Sequence, residues 1–274
     1  MLSKITIIFI FICILISIIY LFNKYNNTTD INLNNFYIAY INLDTSKERN
    51  NFMIKQAKKF NLNINRIKAF DGKKLNLNNY NYFLKNLKKH FEEKNNRLGH
   101  LGCFLSHLKL YKEFLKTNLE YAIILEDDCK INNNNFKKII LDSIKKLPNN
   151  WDILLGGYHI DEDWAKQHKY FNKDIYLKNK ILYNIKAFTG THFYIINRKS
   201  AQKLLKLLEQ PTWYIDWEIS KYANEDKLKI YGIYPPIVCQ PAAHKIKIKN
   251  INYNYNNKCS YKDIEFVTKS TTNS

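Results

Sequence analysis

The chain has 274 residues, 46% of them hydrophobic, which is enough apolar material for one substantial core or a core with a small appended lobe. Its formal net charge of +19 invites nucleic acid as a partner. However, Lys, Asn and Ile are raised together along the whole length and no basic block is interleaved with stacking aromatics, so nucleic-acid binding is not expected. The five cysteines form no CxxC pair and no zinc-type spacing, which excludes the usual zinc and thioredoxin-like motifs.

Residues 5–22, ITIIFIFICILISIIYLF, are uncharged and mostly apolar between Lys4 and Lys24. As a helix they would extend about 27 Å, close to the thickness of a bilayer's hydrocarbon core. Bulky and amide side chains at 20–27 disfavour signal-peptide cleavage, so residues 1–23 read as a single-pass signal anchor and 24–34 as a short polar stem. Single flanking lysines leave the orientation open; a type II arrangement would place the following domain in a lumen. Asn26 and Asn27 head two overlapping N-glycosylation sequons that would matter only there.

Beyond the stem, FYIAYINLD (36–44) predicts a strand ending in a polar turn, and a helix follows over 46–60 with Ser46 as its N-cap. INRIKAFDG (64–72) predicts a second strand closed by an Asp-Gly turn. Helical patterns cover 79–95 and 100–118; in the latter Leu101, Phe104, Leu105, Leu108, Tyr111 and Leu115 recur at helical intervals. After the strand at 121–128 come a helix ending before Pro148, a strand WDILLGG (151–157), and a long polar and aromatic stretch at 158–180, long enough for a mobile loop over a site. Strands at 181–188 and 191–197, helices at 199–209 and 214–222, and a last strand zone KIYGIYPPIVCQ (229–240) complete the domain at 35–244, with 245–274 a loosely held tail. Strands alternating with helices argue for an α/β fold with a mainly parallel central sheet flanked by helices. Cys103 and Cys239 lie in apolar runs and read as buried thiols.

The strand YAIILEDD (121–128) carries the most chemistry. Its apolar run belongs inside a sheet, yet it ends in three consecutive carboxylates, costly to desolvate unless something cationic meets them. Ligands of open α/β sheets collect at the carboxyl ends of strands. On an extended backbone Glu126 and Asp128 project to one side and Asp127 to the other, offering hard oxygen ligands to Mn²⁺ or Mg²⁺. An acidic loop at a sheet edge is the competing reading.

Six segments in order, YINLD (40–44) with Arg49, RIKAFDG (66–72), GCFLSH (102–107), ILEDD (124–128), GTHFYIINRKSA (190–201) and PPIVCQ (235–240), resemble glycosyltransferase family 25. That family includes lipopolysaccharide-type β-galactosyltransferases and the collagen hydroxylysine galactosyltransferases. The resemblance implies a GT-A-like fold, a nucleotide-sugar donor, most often UDP-galactose, a divalent metal, and inverting transfer to a hydroxyl of a glycan or of a protein such as collagen-like hydroxylysine. The family's second acidic pair aligns with Asp216, less well with Glu218.

On this basis Asp128 is the expected main metal ligand. Glu126 would contact the ribose or the metal, and His244 is a candidate to complete the metal shell. Asp127 is expected to orient its neighbours or the donor sugar. Asn42, Asp44 and Arg49 end the first strand, where the base and ribose are expected, with backbone capping the competing role for Asn42 and Asp44. Asp71, Gly72, Ser106, His107, Gly190, Thr191 and His192 lie in the matched segments and complete the expected donor-binding set. His107 also reads as structural, packing a helix amino-terminus, and His192 as a core histidine. Asp216, in the aromatic stretch WYIDW (213–217), is the candidate general base, against the alternative of a helix-surface acid. A catalytically silent glycan-binding domain is the alternative function; a metal phosphohydrolase would need more clustered histidines and acids.

Overall fold

A computed structural model of the chain describes residues 13–17, 32–89, 94–159, 175–177 and 180–240. The chain divides into two units, Met1–Leu33 and Asn34–Ser274. In the first, residues 13–17 are helical and exposed; the rest of the expected anchor, residues 24–31 of the expected stem and both sequons lie outside the described residues. Among the described residues no helix is long and apolar enough to cross a membrane.

The second unit is built on an eight-stranded sheet in the order β2-β1-β3-β8-β5-β9-β7-β6. The strands are β1 (Phe36–Asn42), β2 (Asn65–Lys68), β3 (Tyr121–Glu126), β5 (Ile153–His159), β6 (Ile175–Leu177), β7 (Lys180–Asn184), β8 (Thr189–Asn197) and β9 (Ile230–Tyr234). β1, β3, β5 and β8 are buried along nearly their whole length, which is why their sequences run apolar without alternation. The helices are α1 (Lys47–Lys59), α2 (Asn81–Lys88), α3 (Lys94–Leu115), α4 (Phe136–Lys146), α5 (Arg198–Leu207) and α6 (Ile215–Asn224).

The sheet is mixed, which corrects the expectation of a mainly parallel one. β1 pairs in parallel with β2 and β3, and β5 with β9, but β8 runs antiparallel to both β3 and β5. β7 is antiparallel to β6 and β9. Apolar β8 reads the same in either direction, so strand composition could not reveal its sense. A separate pair, β4 (Lys130–Ile131) with β10 (Val238–Cys239), brings the carboxyl-terminal strand zone back beside β3.

Register places the site. Ile41 lies opposite Glu126 and Leu125 opposite Phe193, so Asn42, the acid triplet and Thr191 meet at one end of the sheet. Gly156 and Gly157 sit at a register shift of β5, where added Cβ atoms would lie 2.7 Å from Phe193 and His192 respectively. Their lack of side chains lets β8 approach.

Local structure departs from expectation in smaller ways. The Asp-Gly turn expected after β2 is present as a 3-10 turn, Gly72–Lys74, which Asp71 caps by accepting from Lys73 N–H at 3.1 Å. Ser46 occupies the N-cap position of α1 without a side-chain bond, while Asn197 caps α5 by accepting from Ser200 N–H at 2.8 Å. Cys103 and Cys129 are free, but Cys239 is disulfide-bonded, which corrects the thiol expected there.

A Cβ on Gly72 would lie 1.8 Å from the Leu98 carbonyl oxygen, and one on Gly102 2.5 Å from that of Phe70. These contacts press the 70–72 segment onto α3 backbone to backbone. Gly72→Ala is therefore expected to cost about 3 kcal/mol, read as a lowered urea midpoint at unchanged slope; an unchanged midpoint would show that the segment can lift off freely.

Candidate active site

At the carboxyl ends of β1 and β3 lies a cavity of about 320 Å³. Its floor is the acid triplet, and its walls include Arg49 from α1, the 70–72 segment, and Ser106 and His107 from α3. β3 ends at Glu126 and the chain turns at once, with Cys129 N–H donating to Glu126 O at 3.3 Å. The alternation expected for an extended triplet therefore does not hold. Asp127 and Asp128 are both reached by one guanidinium, with Arg49 Nη1 2.9 Å from Asp127 Oδ1 and 3.3 Å from Asp128 Oδ2.

Each carboxylate has its own partners. Asp127 also accepts from Asn42 Nδ2 at 2.7 Å, and Asp128 from Gln240 Nε2 at 3.0 Å. Glu126 Oε1 accepts from Thr191 Oγ1 at 2.7 Å and lies 3.5 Å from His107 Nε2. Burial pushes Asp128 up to about 7, with Glu126 and Asp127 adding to the rise and Arg49 opposing it. Burial likewise raises Asp127 against the pull of Arg49 and Asn42. For Glu126 burial is outweighed by the bonds from His107 and Thr191, which hold its carboxyl below the usual range. Burial also works against the Arg49 charge, but the two aspartates overcome it and raise its pKa.

A metal can be tested against this donor set. Asp128 Oδ1 is buried and has no hydrogen-bond partner among the described residues, a hard anionic acceptor left open in a cavity rimmed by acids. Such a group fits a hard divalent cation. Cys103, His107 and Glu126 also place one ligand atom each within 4.8 Å of one another, in the same cavity. His244 lies outside the described residues.

The other expected site residues fall into two groups. Asn42, Arg49, Asp71, Gly72, Ser106, His107 and the triplet line the cavity. Ser106 shapes its wall, accepting from Phe70 N–H at 2.8 Å and donating to Gly102 O at 2.6 Å. His107 lies in the interior of α3, so a place at a helix amino-terminus is corrected. Asp44 stands apart from the lining: hydrogen bonds from Lys68 and Arg66 hold it down to about 2. Thr191 touches Glu126, whereas buried His192 is pushed down to about 3 and stays neutral. Gly190, at φ +79°, directs its N–H to Asp216 Oδ2 at 2.8 Å. Asp216 opens α6, is partly buried, and also accepts from Trp217 N–H at 2.9 Å. It does not border the cavity described above, yet the Glu126 charge reaches it.

Sequence reasoning missed Gln240 as a site residue and Arg49 as the partner of the acids. Gln240 ends the PPIVCQ segment, so its position carried a signal; the Arg49 pairing required the fold.

The pattern defining "Glycosyltransferase family 25 (LPS biosynthesis protein)" matches residues 34–219, the span that holds the triplet, Arg49 and Asp216. The chain belongs to glycosyltransferase family 25. Procollagen galactosyltransferase 2 of Homo sapiens is 27% identical over 126 residues, covering 44% of this chain and 20% of that protein. A glycosyltransferase 25 family member of Anopheles gambiae is 27% identical over 185 residues, covering 64% of this chain and 29% of that one. This family 25 chain thus spans less than a third of the length of these relatives. Among solved structures, a glycosyltransferase involved in the glycosylation of the major capsid of PBCV-1 aligns over 75% of this chain and 91% of that one at 10% identity, with a TM-score of 0.39.

Removing Arg49 strands two buried acids. Arg49→Met is expected to cost about 3–5 kcal/mol near pH 8. The deficit should shrink at pH 5, because the folded state of a raised-pKa carboxyl takes up protons that the unfolded chain does not, so stability falls as pH rises toward 7. Urea unfolding at the two pH values measures this; an equal deficit at both would show that the acids are not stranded.

Proposed function

We propose that this family 25 domain transfers a hexose, galactose from UDP-galactose, with inversion onto a hydroxyl of a glycan or of a protein such as collagen-like hydroxylysine. The observation that carries the reading is the unpartnered Asp128 Oδ1 inside a cavity whose floor is three acids and whose wall holds one buried arginine. The names of the curated relatives supply galactose and procollagen as the first donor sugar and acceptor to try.

Asp128 and Glu126 would hold Mn²⁺ or Mg²⁺, which as a Lewis acid offsets the charge of a leaving diphosphate. Asn42, at the end of β1, and Arg49, from α1, face the base and ribose in this reading, and Asp127 keeps Arg49 in place.

Inversion is a single displacement. The acceptor oxygen bonds to the anomeric carbon as the bond to the diphosphate oxygen breaks, and a base takes the acceptor proton. Asp216 suits that role: burial pushes it up to about 6, so it is ionised at neutral pH yet still basic. Trp217 beside it is 54% exposed, an aromatic face available to a sugar ring.

Two measurements test the assignment. Asp128→Asn should lose Mn²⁺-dependent transfer from UDP-galactose by at least about a hundredfold, the upper scale of a metal-site loss; full metal-dependent turnover in this variant would refute the site. For Asp216, kcat/KM of the wild type should rise as pH increases through about 6 and then level off. Asp216→Ala should lose turnover while still binding UDP with Mn²⁺, and unchanged turnover would exclude it as the base. A binding-only domain would show no UDP-galactose hydrolysis at any pH.

A further inference from the structure

A continuous hydrogen-bonded path ends on Glu126. The Tyr111 hydroxyl lies 2.7 Å from that of Tyr194, and the Tyr194 hydroxyl 2.8 Å from His107 Nδ1. His107 Nε2 is 3.4 Å from Thr191 Oγ1 and 3.5 Å from Glu126 Oε1, and Thr191 Oγ1 is 2.7 Å from the same oxygen. Tyr111, Tyr194 and His107 are all buried, so water does not compete for these groups. Tyr111 and His107 are one turn apart on α3, while Tyr194 and Thr191 belong to β8. The path therefore ties a helix and two strands together behind one carboxylate.

Its proton order follows from chemistry alone. Ionised Glu126 can only accept. Thr191 has one hydroxyl hydrogen, committed to Glu126 at the shorter distance, and offers His107 only a lone pair. A singly protonated His107 then carries its proton on Nε2, leaving Nδ1 bare. Tyr194 donates to Nδ1 and in turn accepts from Tyr111. One arrangement satisfies every group, and all its donors point toward Glu126 Oε1.

We propose that Tyr194 and Tyr111 are positioning residues which, acting through His107, hold one oxygen of Glu126 and leave the other for the donor complex. This rests on the cavity being the donor site, and it extends that reading to two tyrosines outside the cavity lining. Partners standing behind a ligating carboxylate govern how firmly it is presented, and their loss commonly costs ten- to a hundredfold in metal affinity.

The test uses the full chain labelled with ¹⁵N-histidine, with the His107 signals assigned by their loss in His107→Gln. The wild type should show a protonated Nε2 and a bare, hydrogen-bonded Nδ1. In Tyr194→Phe the Nδ1 signal should move to the position of a bare nitrogen without a donor. Mn²⁺ affinity, titrated in the presence of UDP, should fall about tenfold. Tyr111→Phe keeps the bond to His107 and should give a smaller change of the same sign, which preserves the test should Tyr194→Phe fail to fold. A proton on Nδ1 in the wild type, or an unmoved Nδ1 signal in both folded variants, would overturn the proposal. Should the wild type bind neither Mn²⁺ nor UDP, the donor-site reading fails while the nitrogen signals still decide the path.

Discussion

The site depends on one buried guanidinium. Three carboxylates in a row at the end of a buried strand would repel one another and forfeit their hydration, and Arg49 is the cation that meets two of them. A buried ion pair adds little to stability by itself, but it makes the neighbouring neutral donors effective. Asn42, Gln240 and Thr191 each give one hydrogen bond to one acid, so no carboxylate relies on Arg49 alone. Among the described residues the floor still carries three acids, Glu126, Asp127 and Asp128, against the one guanidinium of Arg49. A floor with surplus negative charge and one unpartnered oxygen attracts a cation rather than an anion.

The sheet makes this convergence unavoidable. Parallel pairing of β1 with β3 and antiparallel pairing of β3 with β8 bring Asn42, the triplet and Thr191 to the same edge. The β4–β10 pair then returns Gln240 to Asp128 from the far end of the domain. α3 closes the site because Gly72 and Gly102 allow backbone to touch backbone, which fixes the distance between the 70–72 segment and the helix that carries Ser106 and His107. Helices and strands thus hold nearly half of the cavity wall, and the turns after β1, β2 and β3 hold most of the rest.

Much of this was legible in the chain. The apolar run into EDD marked both a buried strand and its chemistry, and six ordered segments pointed to the family. What stayed hidden depended on long-range geometry. The reversed sense of β8 left no trace because a strand buried on both faces has no polar side to betray direction. The alternation expected for Glu126, Asp127 and Asp128 failed because the backbone turns immediately after Glu126. Asp44, two residues past β1, pairs with Arg66 and Lys68, partners that β2 supplies and that only the fold reveals. Tyr111 and Tyr194 looked like core aromatics, which they are; only their hydroxyl contacts give them a second role.

The three adjacent acids, alike in sequence, are driven to different electrostatic states. Glu126 gathers donors from β8 and α3 and remains ionised at low pH, whereas Asp128 sits deeper, pushed up to about 7 by burial and by its two acidic neighbours. Asp127 lies between them, held by Asn42 and Arg49. Such separation of neighbouring carboxylates by environment is how one cluster supports several tasks. Here Glu126 is left a fixed negative charge, Asp127 is bonded by the arginine, and Asp128 is drawn toward its neutral form. The same field extends to Asp216, whose pKa Glu126 helps to raise. The cavity floor and Asp216 are therefore electrostatically linked: a cation that neutralised Glu126 would lower the proton affinity of Asp216.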